Sequence, residues 1–429
     1  MDSSAHARRR RSLLAAIGPG LLVAATGVGA GDLATAAFSG HALGTAVLWA
    51  VVVGAGVKYV LNEGLARWQL ATGETLLEGA LTRLTGRLAR PLQAAFLVYF
   101  VTWSFLVATA LMSACGATFH AIYPLTASAS TDKVLYGIAH ALVGLALVRF
   151  GGYRLFERVM SFTIALMFVT VVVTAARLAP DWGAVAADLV RPHLPGIPGA
   201  AGWTAALMGG VGGTVTVLCY GYWIREEGRE GTGEIRLCRL DLGLAYAMTA
   251  LFGLAMVVVG STVEVSGRGA GLIVALADRL EATLGPAGRW TFVAGAWGAV
   301  ASSLLGVWQS VPYLFADLWR LLRGTEPESR VGAPPTRRAP VDTAGAPYRV
   351  FLYALATVPA LGLVWSFAAM QRLYALVGAA FMPILAAVLL ALTGSDRFLG
   401  AAHRNRLLTN AVLVAVLVFF TILFARVVF

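Results

Sequence analysis

The run Gly27-Val28-Gly29-Ala30-Gly31-Asp32 lies inside the apolar stretch from Leu13 to Gly40. A second glycine cluster, Gly209-Gly210-Val211-Gly212-Gly213-Thr214-Val215-Thr216, lies inside the apolar stretch from Trp203 to Ile224, about 180 residues further on. Glycine is costly in a helix interior and admits backbone shapes that other residues avoid, so each cluster is expected to interrupt a helix. An unwound turn inside a bilayer exposes carbonyl oxygens, and the half-helix ends beside it present partial charges to whatever sits between them. A matched pair of interrupted spans in the two halves of a chain points to a solute-binding site at the bilayer midplane. The first break also carries a carboxylate, Asp32.

The rest of the chain agrees with a membrane setting. Its 429 residues are 58% hydrophobic and 13% charged, with a mean hydropathy of +0.76; soluble domains carry about 25% charged residues. A span needs about 20 mostly apolar residues. Eleven stretches qualify, at roughly 13–40, 44–72, 92–121, 133–150, 155–178, 203–224, 241–264, 290–317, 348–368, 372–393 and 406–428. They leave no room for a sizeable soluble domain.

The net charge of +11 could suggest nucleic acid, but its placement argues against that partner. With the N-terminus in the cytoplasm, 23 of the 33 basic residues fall in loops on that side, Arg8 to Arg11 and Arg225, Arg229, Arg236 and Arg239 among them. This positive-inside bias predicts an integral plasma (inner) membrane protein with a cytoplasmic N-terminus and the C-terminus on the opposite side. A signal peptide over the first apolar stretch is excluded by the ten spans that follow it. The three cysteines, Cys115, Cys219 and Cys238, have neither the number nor the spacing of a disulfide or metal framework.

The organisation follows from counting. A basic segment over 1–12 precedes five spans over 13–178, five more over 203–393, and an additional helix over 406–428. Because five is odd, the second set starts from the opposite side of the membrane, and any repeat relating the halves is inverted. Interrupted first helices in two inverted five-helix repeats define the LeuT-type architecture. The expected fold class is therefore an all-α membrane protein of about 11 transmembrane helices, with helices 1 and 6 broken. The loop over about 318–347 reads as a flexible connection.

Short motifs along nearly the whole chain resemble those of the Nramp family of divalent-metal transporters. Gly18-Pro19-Gly20-Leu21-Leu22-Val23-Ala24 and the break after it are similar to that family's first helix. Leu65-Ala66-Arg67 with Ala71-Thr72-Gly73 resembles the end of its second, and Gly212-Gly213-Thr214-Val215 its sixth. Ser302-Ser303 with Gln309 resembles its eighth, and Phe381-Met382-Pro383 its tenth. The resemblance implies alternating-access transport, with metal as substrate, no cofactor and no required protein partner. The departures concern chemistry. The family's Asp-Pro-Gly-Asn falls on Gly29, Ala30, Gly31 and Asp32, so the carboxylate is moved three residues. Its Met-Pro-His falls on Thr216, Val217 and Leu218. The acids of its third helix have no counterpart in Trp103 to Gly116.

A carboxylate near the bilayer centre is expensive and marks function, although Asp32 is also placed to cap the second half-helix. Asp32 is the first candidate ligand. Backbone around Val28, Gly29, Gly31, Gly212 and Gly213 would add oxygens, with the Thr216 hydroxyl as a further metal ligand and Gln309 as a helper. Oxygen donors suit hard ions such as manganese or magnesium. On the second span, Lys58 and Asn62 share one face and Glu63 and Arg67 another. A lysine at mid-span must find compensation; Glu63 and Asp32 are the two carboxylates in reach. Lys58 reads either as half of a structural ion pair or as a built-in cation that replaces a coupling ion. Lys58, Glu63, Arg67 and Tyr220 are the coupling or gating candidates. A Lys58–Glu63 pair would resist titration and leave transport without proton coupling. The cluster Arg225-Glu226-Glu227-Gly228-Arg229, at the cytoplasmic end of helix 6, reads as a solvated or gating charge network.

The leading expectation is a secondary transporter of a divalent cation in the lipid bilayer, and not an enzyme. The alternative is a small organic solute or an anion on the same fold, which Lys58 would attract.

Overall fold

The computed structural model describes residues 18–84, 86, 89–178, 180–262, 272–324 and 341–428. The basic segment over 1–12 and Arg330, Arg337 and Arg338 of the long loop lie outside the described residues.

The first span divides where the glycines predict. Helix α1 (Gly18–Gly27) runs into an irregular π-helical turn over Val28–Thr35, and α2 (Ala36–Leu43) completes the span. At Gly29 the backbone departs from helix, with φ −71° and ψ −107°. A 3-10 turn then leads into α3 (Leu48–Thr72). After the short α4 (Leu76–Gly79) come α5 (Ala89–Ile122), α6 (Ala129–Phe150) and α7 (Gly152–Arg177).

The second half repeats the pattern. The short helix α8 (Trp182–Val190) precedes α9 (Ala200–Gly210), which stops at the second cluster. A 3-10 turn over Val215–Cys219 restarts the chain as α10 (Tyr220–Glu226). Then follow α11 (Ile235–Ser261), α12 (Leu272–Leu284), α13 (Pro286–Arg323), α14 (Ala346–Thr357), α15 (Phe367–Ala379), α16 (Phe381–Thr393), α17 (Asp396–His403) and α18 (Leu407–Val428). No strand occurs among the described residues.

Nine helical segments among the described residues are long and apolar enough to cross a membrane, and Leu407–Leu423 is apolar but shorter. The first of the nine, Asp32–Thr72, runs the back half of the first expected span into the second. Four helices fall outside the eleven expected stretches: α4, α8, α12 and α17 are too short to span. Asp181 caps α8, its Oδ1 accepting from the amides of Gly183 (2.9 Å) and Ala184 (3.1 Å).

The two interrupted spans occupy the middle of the bundle. Helix α11 packs on α1, α2 and α3, and α13 packs on α1, α5 and α7. The periphery carries large apolar side chains such as Val98, Phe162, Val169, Val350 and Leu408, all exposed. This inversion suits lipid outside. The centre, by contrast, buries Asp32, Lys58, Asn62, Arg229 and Asp241.

Candidate functional site

Asp32 is fully buried in the turn that joins α1 to α2. Its Oδ2 accepts a hydrogen bond from the Gly212 amide across the bundle (3.1 Å), so the first break is tied directly to the second. Its Oδ1 is buried and has no hydrogen-bond partner. Such an atom carries its desolvation cost uncompensated. On the other side of the turn, the Ser303 hydroxyl of α13 accepts from the Gly29 amide (2.8 Å) and contacts the Thr26 carbonyl. The fit leaves no room at Gly29: a Cβ there would lie 2.1 Å from Ser303 Cβ. The family's aspartate could therefore not occupy position 29 beside Ser303 without a rearrangement.

The second break is built around Lys58. Helix α9 ends at Gly210, its last helical bond running from the Val211 amide to the Leu207 carbonyl, so the Gly209 carbonyl lies beyond it. Gly212 and Gly213 then adopt φ of +72° and +84°, values that favour glycine, and fold the chain back over the helix end. The fully buried ammonium of Lys58, reaching from α3, donates to the carbonyls of Gly209 (2.9 Å), Val211 (2.7 Å) and Gly213. An ammonium has three N–H donors, and all three are engaged. The charge also sits at the negative end of the α9 dipole. Neither carboxylate considered for Lys58 pairs with it directly. Asp32 is close enough for the two charges to act on one another. Glu63 faces another way, toward Arg67 (3.2 Å) and Arg239 (2.7 Å). The Lys58–Glu63 lock that would have excluded proton coupling is therefore not formed.

Other groups complete the surroundings. Asn62, one turn from Lys58, donates to Tyr246 of α11 (3.1 Å), and its Oδ1 is buried without a partner. Trp103 of α5 donates to the Thr214 hydroxyl (2.8 Å). The Thr216 hydroxyl packs against Gly213, where a Cβ would come within 2.4 Å of it. Gly31 belongs to the same turn as Asp32.

Three residues expected at or near the site are held by partners other than Asp32 and Lys58. Gln309 accepts from the Trp223 indole (2.8 Å) and donates to Tyr313 (3.1 Å), which in turn donates to Glu226 (3.1 Å). Both atoms of its amide group are thus held by aromatic side chains in this conformation. Arg67 bridges Glu63, the His403 carbonyl and Asn405, linking α3 to the chain around α17. Tyr220 donates to Asp241 (3.1 Å).

That last bond belongs to a second polar layer, near the start of α1, in which Asp241 has the central role. Asp241 Oδ2 accepts from the Gly20 amide (2.9 Å) and from Arg229 (2.9 Å) as well as from Tyr220. Arg229, at the end of the charge cluster after helix 6, is buried and not solvated. Nothing in the sequence singles out Asp241, because an acid at the head of an apolar stretch looks like an ordinary loop charge. Alongside it, Glu78 pairs with Arg225 (3.4 Å) and Arg320, and Asp317 accepts from Tyr222 (2.7 Å).

No group of three or more His, Cys, Asp or Glu side chains that could hold a metal occurs among the described residues. The donors at the breaks are one carboxylate, backbone carbonyls and hydroxyls. That is a hard-oxygen set, suited to manganese, magnesium or calcium before any soft ion.

The sequence profile of the natural resistance-associated macrophage protein-like (Nramp) family matches residues 20–429. The chain belongs to the Nramp family. A search of curated protein sequences finds no match. Among solved structures, a variant of the Eremococcus coleocola manganese transporter superposes with a TM-score of 0.71 at 16% identity, covering 96% of this chain and 85% of that one. The same transporter in complex with an aromatic bis-isothiourea substituted compound gives 0.69 at 18% identity, with the same coverage. MhsT in complex with L-phenylalanine gives 0.60 at 14% identity, covering 96% and 97%. These likenesses establish the fold, LeuT-type with interrupted first and sixth helices. As an Nramp-family chain it is a membrane transporter and not an enzyme.

Proposed function

We propose that this Nramp-family protein carries a hard divalent cation, manganese or magnesium, by alternating access through the junction of its two interrupted helices. The observation that carries the reading is the unpartnered, fully buried Oδ1 of Asp32. Burying a carboxylate away from water costs several kcal/mol unless an opposite charge or hydrogen bonds offset it. A metal ion at this oxygen would supply that offset. Val28, Gly29 and Gly31 would contribute from the first break, and Gly212 and the Thr216 hydroxyl from the second, the Gly213 carbonyl being held by Lys58. The Eremococcus coleocola protein of the same fold is a manganese transporter, and manganese agrees with such a donor set.

The alternative, an organic solute or an anion, needs Lys58 as a free attractant. With its three N–H groups donated to carbonyls, Lys58 has none to offer a solute carboxylate in this conformation. That weighs for the cation. A thermal-shift screen separates the two: manganese and magnesium salts should raise the melting temperature of the purified protein, and small carboxylic acids should not. The reverse pattern would favour the organic solute.

The basic loops support an N-terminus in the cytoplasm and a C-terminus on the opposite side. On this orientation the Asp241–Arg229 layer closes the cytoplasmic path, because it ties the start of α1 to α11. Glu63 takes no part in the site. Glu63→Gln is expected to leave metal uptake within about twofold of the native rate and to cost about 1–3 kcal/mol, because buried Arg67 loses a charged partner. Uptake assays with a parallel melting curve check it; a tenfold loss of uptake at unchanged stability would put Glu63 back in the transport path.

A further inference from the structure

We infer that the carbonyls of Gly209, Val211 and Gly213 form a monovalent-cation site that the chain fills with its own Lys58 ammonium in place of an alkali ion from solution. This rests on the reading of the two breaks as the transport junction and adds a second, separate cation position to it.

Three carbonyls converge on one point because α9 ends at Gly210 and the left-handed Gly212 and Gly213 turn the following stretch of chain back on it. Convergent backbone carbonyls are what replace the hydration shell of a monovalent cation in a protein. Gathered at the negative end of a half-helix, with Asp32 beside them, they repel one another unless a positive charge sits among them. Buried in protein, they cannot borrow water for the purpose.

Lys58 meets that need from outside the break. It belongs to α3, and its ammonium reaches the carbonyls with every N–H matched to one oxygen. Were Lys58 an ordinary structural ion pair, a carboxylate would receive it; Glu63, five residues along the same helix, instead goes to Arg67 and Arg239. The contacts are those of a bound ion, held by carbonyls and balanced by a nearby charge, with the difference that the ion is tethered. A tethered cation does not dissociate, so a transporter built this way needs no alkali ion to organise its second interrupted helix.

The test removes the tether and supplies the ion. The melting temperature of the purified protein is measured in sodium chloride, potassium chloride and N-methyl-D-glucamine chloride at equal ionic strength and without divalent metal. The native protein should melt at the same temperature in all three. Lys58→Ala should melt several degrees lower in N-methyl-D-glucamine and recover, saturably, in sodium or potassium. Lys58→Met, which keeps most of the apolar stem and removes only the charge, should behave in the same way, so that lost packing is not mistaken for lost charge. Lys58→Arg, which keeps the charge, should show no alkali dependence. If both neutral variants are indifferent to alkali ions, or fold in none of the three salts, a soluble ion cannot stand in for the ammonium and the inference is wrong. Because no divalent metal is present, that failure would leave manganese transport untouched. A failure of manganese transport would in turn leave the alkali dependence standing.

Discussion

Asp32→Asn is expected to abolish metal uptake. The substitution keeps the size of the side chain and an oxygen able to accept from the Gly212 amide, so the link between the two breaks can persist. What it removes is the charge on a buried carboxylate oxygen at the junction that has no hydrogen-bond partner. Losing one member of a buried charge pair costs about 3–5 kcal/mol. At about 1.4 kcal/mol per decade of affinity, that is at least about 100-fold in uptake at subsaturating metal. Stability without metal should change little, because the substitution relieves the desolvation of a buried carboxylate but also takes away the charge beside Lys58. Asp32→Asn should therefore melt near the native temperature without metal and lose the metal-induced rise. Initial uptake rates in proteoliposomes, with melting curves in the presence and absence of manganese, check both halves. A folded variant that transports normally, or that keeps the metal-induced rise in melting temperature, would remove Asp32 from the site.

The second large effect is on stability. Asp241→Ala takes the carboxylate from a buried arginine and, at the same stroke, from the Gly20 amide and the Tyr220 hydroxyl. Removing one partner of a buried ion pair is expected to cost about 3–5 kcal/mol, well above the typical substitution. The melting temperature in detergent should fall by several degrees. The double variant Asp241→Leu with Arg229→Met should recover much of that loss, since replacing both partners by apolar groups removes the stranded charge. A shift of less than a degree for Asp241→Ala would mean that the layer is open to water and holds nothing shut.

The two breaks were legible because a cluster of glycines inside an apolar stretch is hard to reconcile with an unbroken helix, and because their positions in the two halves correspond. Asp32 was legible for a related reason: a carboxylate inside a span stands out against its neighbours. Lys58 was equally visible, but its partners were not. The sequence offers Glu63 and Asp32 as residues of opposite charge, whereas the ammonium goes to backbone carbonyls, which every residue has and no residue type signals. Gln309 shows a second limit. Its motif places it on α13, but spacing alone does not say whether it meets the breaks or Trp223 and Tyr313. Asp241 shows a third. It stands at the edge of an apolar stretch, where acids are common, and only the packing of α11 on α1 buries it. The helices α4, α8, α12 and α17 escaped because a length rule tuned to membrane spans passes over short segments.

The most direct measurement is initial-rate manganese uptake into proteoliposomes holding the native protein, with magnesium as competitor. The expected result is saturable manganese uptake that magnesium inhibits and that Asp32→Asn loses. Vesicles that take up neither metal, but accumulate a small organic acid or an anion, would contradict the assignment of a hard divalent cation to the junction.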